Sequence, residues 1–436
     1  MAVSALRRWV GVGALVAVVG AGLYMYWGRL FPEKITEISR RTDLPELSAA
    51  KVAPSDWPWW RGPTGDNHSP DTAALTAWKD SDIAWKKAIP GRGHSTPILV
   101  GNKVILTTAD EGAGQQMVLA LDRSSGELLW QKTVHEGGLM SKHGVNTHAS
   151  GTPASDGERI FAQFLNSDAQ RLTALDLDGK ILWQTEVGKH KGAGSFGSGP
   201  SPALAGSLVI VNGDSPEAGF IAAVHRQTGD VVWRKARPAS GPGSYGSPLA
   251  AELGGKPQVL LSGLDKVRAY DPASGDVLWE CDGLSTVSAN TPVFADGLVV
   301  GSTGAGDAMI AAKPDGIRAW QTTKSSDVPY ATTPLYHDGH LYLVSRAGQV
   351  LCLDAKTGKQ RWGDRARGEF WSSPLKVGKY LYVGSREGEV LVFEANPEEF
   401  VEVARNKMDA GIYASPIAAG GKLFIRTEQS LYCIGK

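Results

Sequence analysis

Ser95-Thr96-Pro97-Ile98-Leu99-Val100, the turn Gly101-Asn102, the apolar run Val104-Ile105-Leu106, and then Leu119-Ala120-Leu121-Asp122 with Gly126 and Trp130 form the stretch that decides the fold, because it recurs along the chain. Its proline returns at Pro97, Pro153, Pro202, Pro248, Pro292, Pro334, Pro374 and Pro416, so successive copies stand 56, 49, 46, 44, 42, 40 and 42 residues apart. A repeat of that length is a four-stranded propeller blade. The Asp followed by Gly between two apolar runs is a hairpin turn whose glycine takes positive φ.

Each closing strand carries a tryptophan 7 or 8 residues beyond the Asp position: Trp130, Trp183, Trp233, Trp279, Trp320 and Trp362. Two residues before the Asp position stand Ala120, Ala174, Ala223, Ala269, Ala311, Cys352, Val392 and Cys433, all small, which implies close packing there. A buried Trp hides about 150–250 Å², worth at most about 4–6 kcal/mol, so these tryptophans read as structural rather than as ligand stackers. The seventh copy has no Trp, and Phe400 or Val401 is expected in its place. The eighth stops at Cys433-Ile434-Gly435-Lys436 before any outer strand, while an orphan strand with Trp85 lies upstream of the first copy. A ring left open exposes an unpaired edge, so the Trp85 strand is expected to complete blade eight. The reading is all-β, an eight-bladed β-propeller over 57–436.

Lys+Arg and Asp+Glu are both 45, without the basic excess that phosphate neutralisation needs, so nucleic acid is not an expected partner. The three cysteines, Cys281, Cys352 and Cys433, form neither a disulfide framework nor a CxxC or CxxCH motif. Residues 1–8 form a short tail. Trp9 to Trp27 is a charge-free run of 19 residues, flanked by Arg7, Arg8 and Arg29. That length spans a hydrocarbon core. It reads as a transmembrane signal-anchor helix, placing the propeller on the periplasmic or extracytoplasmic side, with a cleaved signal peptide as the competing reading. Residues 28–56 carry mixed charge without apolar periodicity and read as a linker.

The repeat Leu-Asp-x-x-(Thr/Ser)-Gly-(Glu/Lys/Asp)-x-x-Trp resembles that of pyrroloquinoline-quinone (PQQ) dehydrogenases, and equally that of the lipoprotein propeller of the outer-membrane β-barrel assembly machinery. The lead-in Trp57-Pro58-Trp59-Trp60-Arg61-Gly62-Pro63 is similar to that of membrane-tethered propellers with PQQ-like repeats. The first resemblance implies PQQ with calcium. The dehydrogenases have adjacent cysteines, a calcium held by Glu, Asn and Asp, and a catalytic Asp; no two cysteines are adjacent here and no matching carboxylate set is readable. The assembly lipoprotein has a lipidated cysteine that this N-terminus lacks.

In a blade the short turns, such as Ser124–Glu127 and Asp156–Arg159, share one face, and the longer loops, such as 110–116, 135–148 and 212–219, share the other. Function is expected on the loop face. Just before the repeat prolines, His94, His148, Tyr245, Asn290, Tyr330, Trp371 and Tyr413 are placed to line the mouth of the central channel, as a ligand pocket requires or as a mutually bonded plug. Arg346, Arg386 and Arg426, at the ends of second strands in blades six to eight, suit a carboxylate or acidic peptide, or else a solvated rim balanced by Glu387 and Glu428. Gly192–Gly197 satisfies GxGxxG but no helix follows it, and the spacing of His135, His143 and His148 fits no standard metal site. Two functions remain open. One is a binding scaffold for another protein or a small ligand at the loop face, from which a sensor module is inseparable; the other is a PQQ-dependent dehydrogenase.

Overall fold

In the first repeat the runs around Val104–Leu106 and Val118–Leu121 have no polar face to show to water, so they become the two middle strands of a sheet, Lys103–Asp110 and Gln115–Asp122, buried on both sides. The inner strand is Ile98–Val100 and the outer one Leu128–Glu136, which is largely exposed. The computed structural model describes residues 35–190, 196–239, 244–285, 287–303, 308–323 and 328–435. In them the pattern repeats as eight four-stranded antiparallel sheets. Seven are built from consecutive strands. The eighth takes Ile417–Ala419, Lys422–Arg426 and Ser430–Ile434 from the C-terminal end and Ile83–Ala88 from upstream of the first blade, with Trp85 opposite Cys433. The ring therefore closes as the repeat arithmetic requires.

The hairpin turns explain the repeat Asp. Asp122 accepts the backbone N–H groups of Ser124 and Ser125 at 2.9 Å, and Gly126 takes φ +73°. That glycine has a second reason to lack a side chain: a Cβ there would sit 2.5 Å from the indole of Trp85, which belongs to the preceding blade. The Trp85 Nε1 donates to the Arg123 carbonyl at 3.0 Å. Trp130, Trp183, Trp233 and Trp320 cover the turn glycines of their following blades in the same way. The small residue two before the Asp lies directly opposite the Trp across the strand pair, Ala120 with Trp130 and Cys352 with Trp362, leaving the indole room to lean over.

Two blades depart from this scheme. Trp279 donates Nε1 to Gln258 of its own blade at 2.9 Å, and the turn glycine Gly316 faces the Glu280 carbonyl instead of an indole. In blade seven the residue opposite Val392 is Ala404, so neither Phe400 nor Val401 occupies the Trp place. Phe400 instead receives the preceding blade's Trp362, at a ring separation of 5.9 Å.

The stretch expected as a linker is laid against the domain from Ile35 onward. Ile38 exchanges both backbone hydrogen bonds with Arg234 on the outer strand of blade three, at 3.0 Å each, and Lys51 N–H donates to the Asp156 carbonyl at 2.7 Å. Leu44 packs on the core between blades three and four. The run 9–27, expected to be a membrane anchor, lies outside the described residues; among those described, no helix is long and apolar enough to cross a membrane.

Candidate functional site

The residue before every repeat proline is Ser or Thr, and the structure supplies the reason. These residues stand around the central channel, where seven of the eight donate their N–H to the hydroxyl of the counterpart in the next blade, from Thr96 to Thr152 at 3.0 Å through to Ser415, which returns to Thr96 at 3.2 Å. A hydroxyl serves because it accepts this bond and keeps its own hydrogen to donate.

On the turn side of this ring the lead-in forms a cap. Trp57 pairs with Leu99 of blade one through two backbone bonds of 2.9 Å, and the Pro58 carbonyl accepts from Ser155 of blade two. Trp60 Nε1 donates to Thr291 of blade five at 2.8 Å, and the buried Arg61 reaches the Pro334 carbonyl of blade six at 3.3 Å. Asn67 and Ser69 bond carbonyls of blades seven and eight, Pro374 and Ala418. The segment thus bridges blades on both sides of the axis, and Trp60 lies at the bottom of a cavity of about 460 Å³ that reaches the loop face.

Above the hydroxyl ring the cavity wall is aromatic. His94 lies flat on Tyr413, with centroids 4.2 Å apart and planes 6° from parallel. Tyr413 meets Trp371 at 6.2 Å, and Trp371 meets Tyr330 edge-on at 5.8 Å. Across the cavity Phe196 packs against His143 and Tyr245 at 5.2 and 5.8 Å, and the Tyr245 hydroxyl accepts the Phe196 N–H. The rim is charged: Glu369 accepts from Trp371 Nε1 and Arg386 Nη1, both at 3.0 Å, and Arg346 lies over the faces of Tyr330 and Trp371. Burial, with Arg426, Arg92 and Lys142 adding their charge, pushes His94 down to about 3, so its imidazole is neutral at physiological pH.

Seven of the ten residues expected at the mouth line this cavity: His94, Tyr245, Tyr330, Trp371, Tyr413, Arg346 and Arg386. Three do not. Asn290 is fully buried and donates to the carbonyls of Pro329 and Thr332, bracing one blade against the next. His148 turns away beneath the first long loop, 4.0 Å from Glu111. Arg426 is buried between blades eight and one, where its Nη1 donates to the Ser95 carbonyl, the Ser95 hydroxyl and the Thr107 carbonyl. Its expected grouping with Arg346 and Arg386 fails on register. Those two lie two residues past second strands that end at Val344 and Gly384, whereas Arg426 is the last residue of its strand. The residue that matches them in blade eight is Glu428. Sequence reasoning also left out Trp60, His143, Phe196, Glu369 and the hydroxyl ring, which line the cavity, Thr333 apart.

The sequence model of the family described as outer membrane protein assembly factor BamB matches residues 68–194, 112–245 and 217–436, which together take in every blade. The chain belongs to the BamB family. One curated BamB, from Yersinia pestis, is 23% identical over 325 residues, covering 72% of this chain and 78% of that protein. The crystal structure of BamB from Moraxella catarrhalis superposes with a TM-score of 0.59 at 17% identity, covering 80% of this chain and 96% of that one. The quinohemoprotein alcohol dehydrogenase of Comamonas testosteroni superposes at 0.68 with 12% identity, covering 88% and 81%. At such identities these superpositions establish a shared propeller and nothing finer.

The dehydrogenase neighbour makes calcium and a quinone worth testing against the cavity. Calcium takes six to eight oxygen ligands, with carboxylates prominent among them. Among the described residues Glu369 is the single carboxylate on the cavity lining, and its oxygens are already bonded to an indole and a guanidinium. No group of three or more His, Cys, Asp or Glu among the described residues is placed to hold a metal. Cys281, Cys352 and Cys433 are free and buried, without the adjacent pair known from the quinone dehydrogenases. The described residues of this BamB-family chain do not fit the calcium and quinone pair.

Proposed function

We propose that this chain is a non-catalytic binding propeller of the outer-membrane assembly class, working outside the cytoplasm and receiving its ligand or protein partner on the loop face. The observation that carries this reading is the form of the cavity. It is capped by Trp60, walled by stacked aromatic rings, ringed by hydroxyls and edged by arginines. Such a lining binds and orients; its one carboxylate is neutralised by Arg386, and its neutral His94 has no acidic partner to set it up as a base. The charge-free run Trp9–Trp27 supports holding the domain at a membrane. The family's role, assembly of outer membrane protein, supports a protein as partner.

A photoreactive amino acid at Val145, on the cavity lining, and another at Gly421, in a turn of the opposite face, test this in the native host. The reading expects a discrete adduct from Val145 and none from Gly421. Adducts from Gly421 alone, or dye reduction by the purified chain given calcium, PQQ and an alcohol, overturn it.

A further inference from the structure

The two rim arginines are held differently, and the difference points to a ligand. Arg386 is neutralised by its 3.0 Å bond to Glu369. Arg346 is not: its nearest carboxylate oxygen stands 3.9 Å from Nε, beyond hydrogen-bond reach, and it donates no hydrogen bond among the described residues. Two aromatic faces hold it instead, with its Cζ 5.3 Å from the Tyr330 centroid and 5.7 Å from that of Trp371. A guanidinium stacked on rings keeps its donor edges turned outward, in the geometry that pairs with a carboxylate. Trp371 is itself fixed by its bond to Glu369, so the platform is in place before any ligand arrives.

At the other end of the same wall, His94 Nε2 is buried with no hydrogen-bond partner. A buried polar atom left unpaired is costly, and a site that binds something is a natural place to find one. Charge points the same way. Arg92 and Lys142 are offset by Glu428 and Glu111, at 3.6 and 3.0 Å. That leaves Arg346, Arg386 and the buried Arg426 against Glu369 and Glu387, the latter close enough to Arg386 to feel its charge, and Arg426 bonds only neutral oxygens of Ser95 and Thr107. Below, hydroxyls of the ring each accept one backbone N–H and, Thr96 apart, show no hydrogen bond among the described residues that uses their own hydrogen. The cavity thus offers flat apolar walls and a cationic rim.

We propose that the cavity binds a small planar carboxylate, its carboxylate paired with Arg346, its ring system against Trp371 and Tyr413, and a polar atom on its far side bonded to His94 Nε2. This rests on the reading of the loop-face cavity as the working site and adds the chemical class of its occupant. A volume of about 460 Å³ accommodates a ligand of two or three fused rings.

The test uses 2-naphthoate and its neutral counterpart 2-naphthamide, titrated into the full chain in detergent at low salt with EDTA present and followed by tryptophan fluorescence. The acid is expected to bind and the amide to bind at least about tenfold more weakly. Arg346→Gln is expected to bring the acid down to the level of the amide while leaving the amide and the melting temperature unchanged, since this side chain is half exposed. Arg386→Gln is expected to weaken the acid far less. Equal binding of acid and amide, failure of both to bind, or no effect of Arg346→Gln overturns the inference. If any of these occurs while the Val145 adduct persists, the occupant is wrong and the loop-face reading stands; loss of the Val145 adduct with naphthoate binding intact separates the two in the other direction.

Discussion

Gly126→Ala tests how neighbouring blades are joined, at the seam where the ring closes. The residue has φ +73°, and an added Cβ would lie 2.5 Å from Trp85 Cε3 and 2.6 Å from Cδ2. The left-handed conformation alone costs a residue with a side chain about 1–2 kcal/mol. The clash adds more, because Trp85 is enclosed by Phe424, by its bond to the Arg123 carbonyl and by the strand pair with Cys433, and cannot move aside without losing them. Overpacking of this kind brings the total to about 3–4 kcal/mol. Gly101→Ala is the control: φ is +57° and nothing lies within 4 Å of its added Cβ, so only the conformational cost of about 1–2 kcal/mol applies. Trp85→Ala by itself should cost about 3–5 kcal/mol, and in that background Gly126→Ala should fall to the cost of the control. Urea unfolding followed by circular dichroism measures all four variants. Equal costs for Gly126→Ala and Gly101→Ala, or an unchanged cost of Gly126→Ala after Trp85 is removed, would refute interblade docking as the reason for the glycine.

Arg426→Ala should destabilise by about 2–4 kcal/mol, since it leaves the Ser95 carbonyl buried without its donor and takes one of two donors from the Thr107 carbonyl, while Arg386→Ala on the exposed rim should stay within about 1 kcal/mol; paired urea titrations compare them. Burial holds His94 near 3 and His135 and His190 near 4, below their unfolded value, so the unfolded chain binds more protons from about pH 6.5 downward. Stability is therefore complete above that pH and lost as pH falls toward 4, and melting curves between pH 7.5 and 4.5 should show a flatter decline for His94→Gln. Burial also pushes Cys352 up to about 12 and Cys433 up to about 11, so neither should react with a thiol reagent at pH 8 until the chain unfolds. Deleting residues 1–56 should lower stability modestly by uncovering the outer edge of blade three, whereas deleting 1–90 also removes the cap and the closing strand and should cause aggregation, read by light scattering.

The ring was legible because its information is local and repeated: proline spacing gave eight blades, and the Trp85 strand had one place left to go. Much of the aromatic wall was legible for the same reason, since His94, Tyr245, Trp371 and Tyr413 each stand three residues before a repeat proline and Tyr330 four before. What misled was to place three arginines alike at the ends of second strands. Arg346 and Arg386 stand 12 residues past Pro334 and Pro374, but Arg426 stands 10 past Pro416, and that two-residue difference turns it from the rim into the gap between blades. Counting from the prolines would have placed Glu428 on the rim. Trp60 belongs to no repeat, and its role depends on Thr291, which is 231 residues away; the one hint was three tryptophans within Trp57–Trp60, too many for a solvent-exposed lead-in. The strap 35–56 escaped because its contacts are scattered backbone bonds, side-chain bonds and ion pairs, which leave no apolar period to read.

The double variant Trp371→Ala with Tyr330→Ala tests the central claim most directly, because both rings are partly exposed on the cavity and neither belongs to the interblade tryptophans. The account predicts loss of the Val145 photo-adduct with an unfolding midpoint close to that of the unaltered chain. An adduct of undiminished yield, or unfolding as easy as that of Trp233→Ala, would contradict it, since the wall would then be packing and not a binding site.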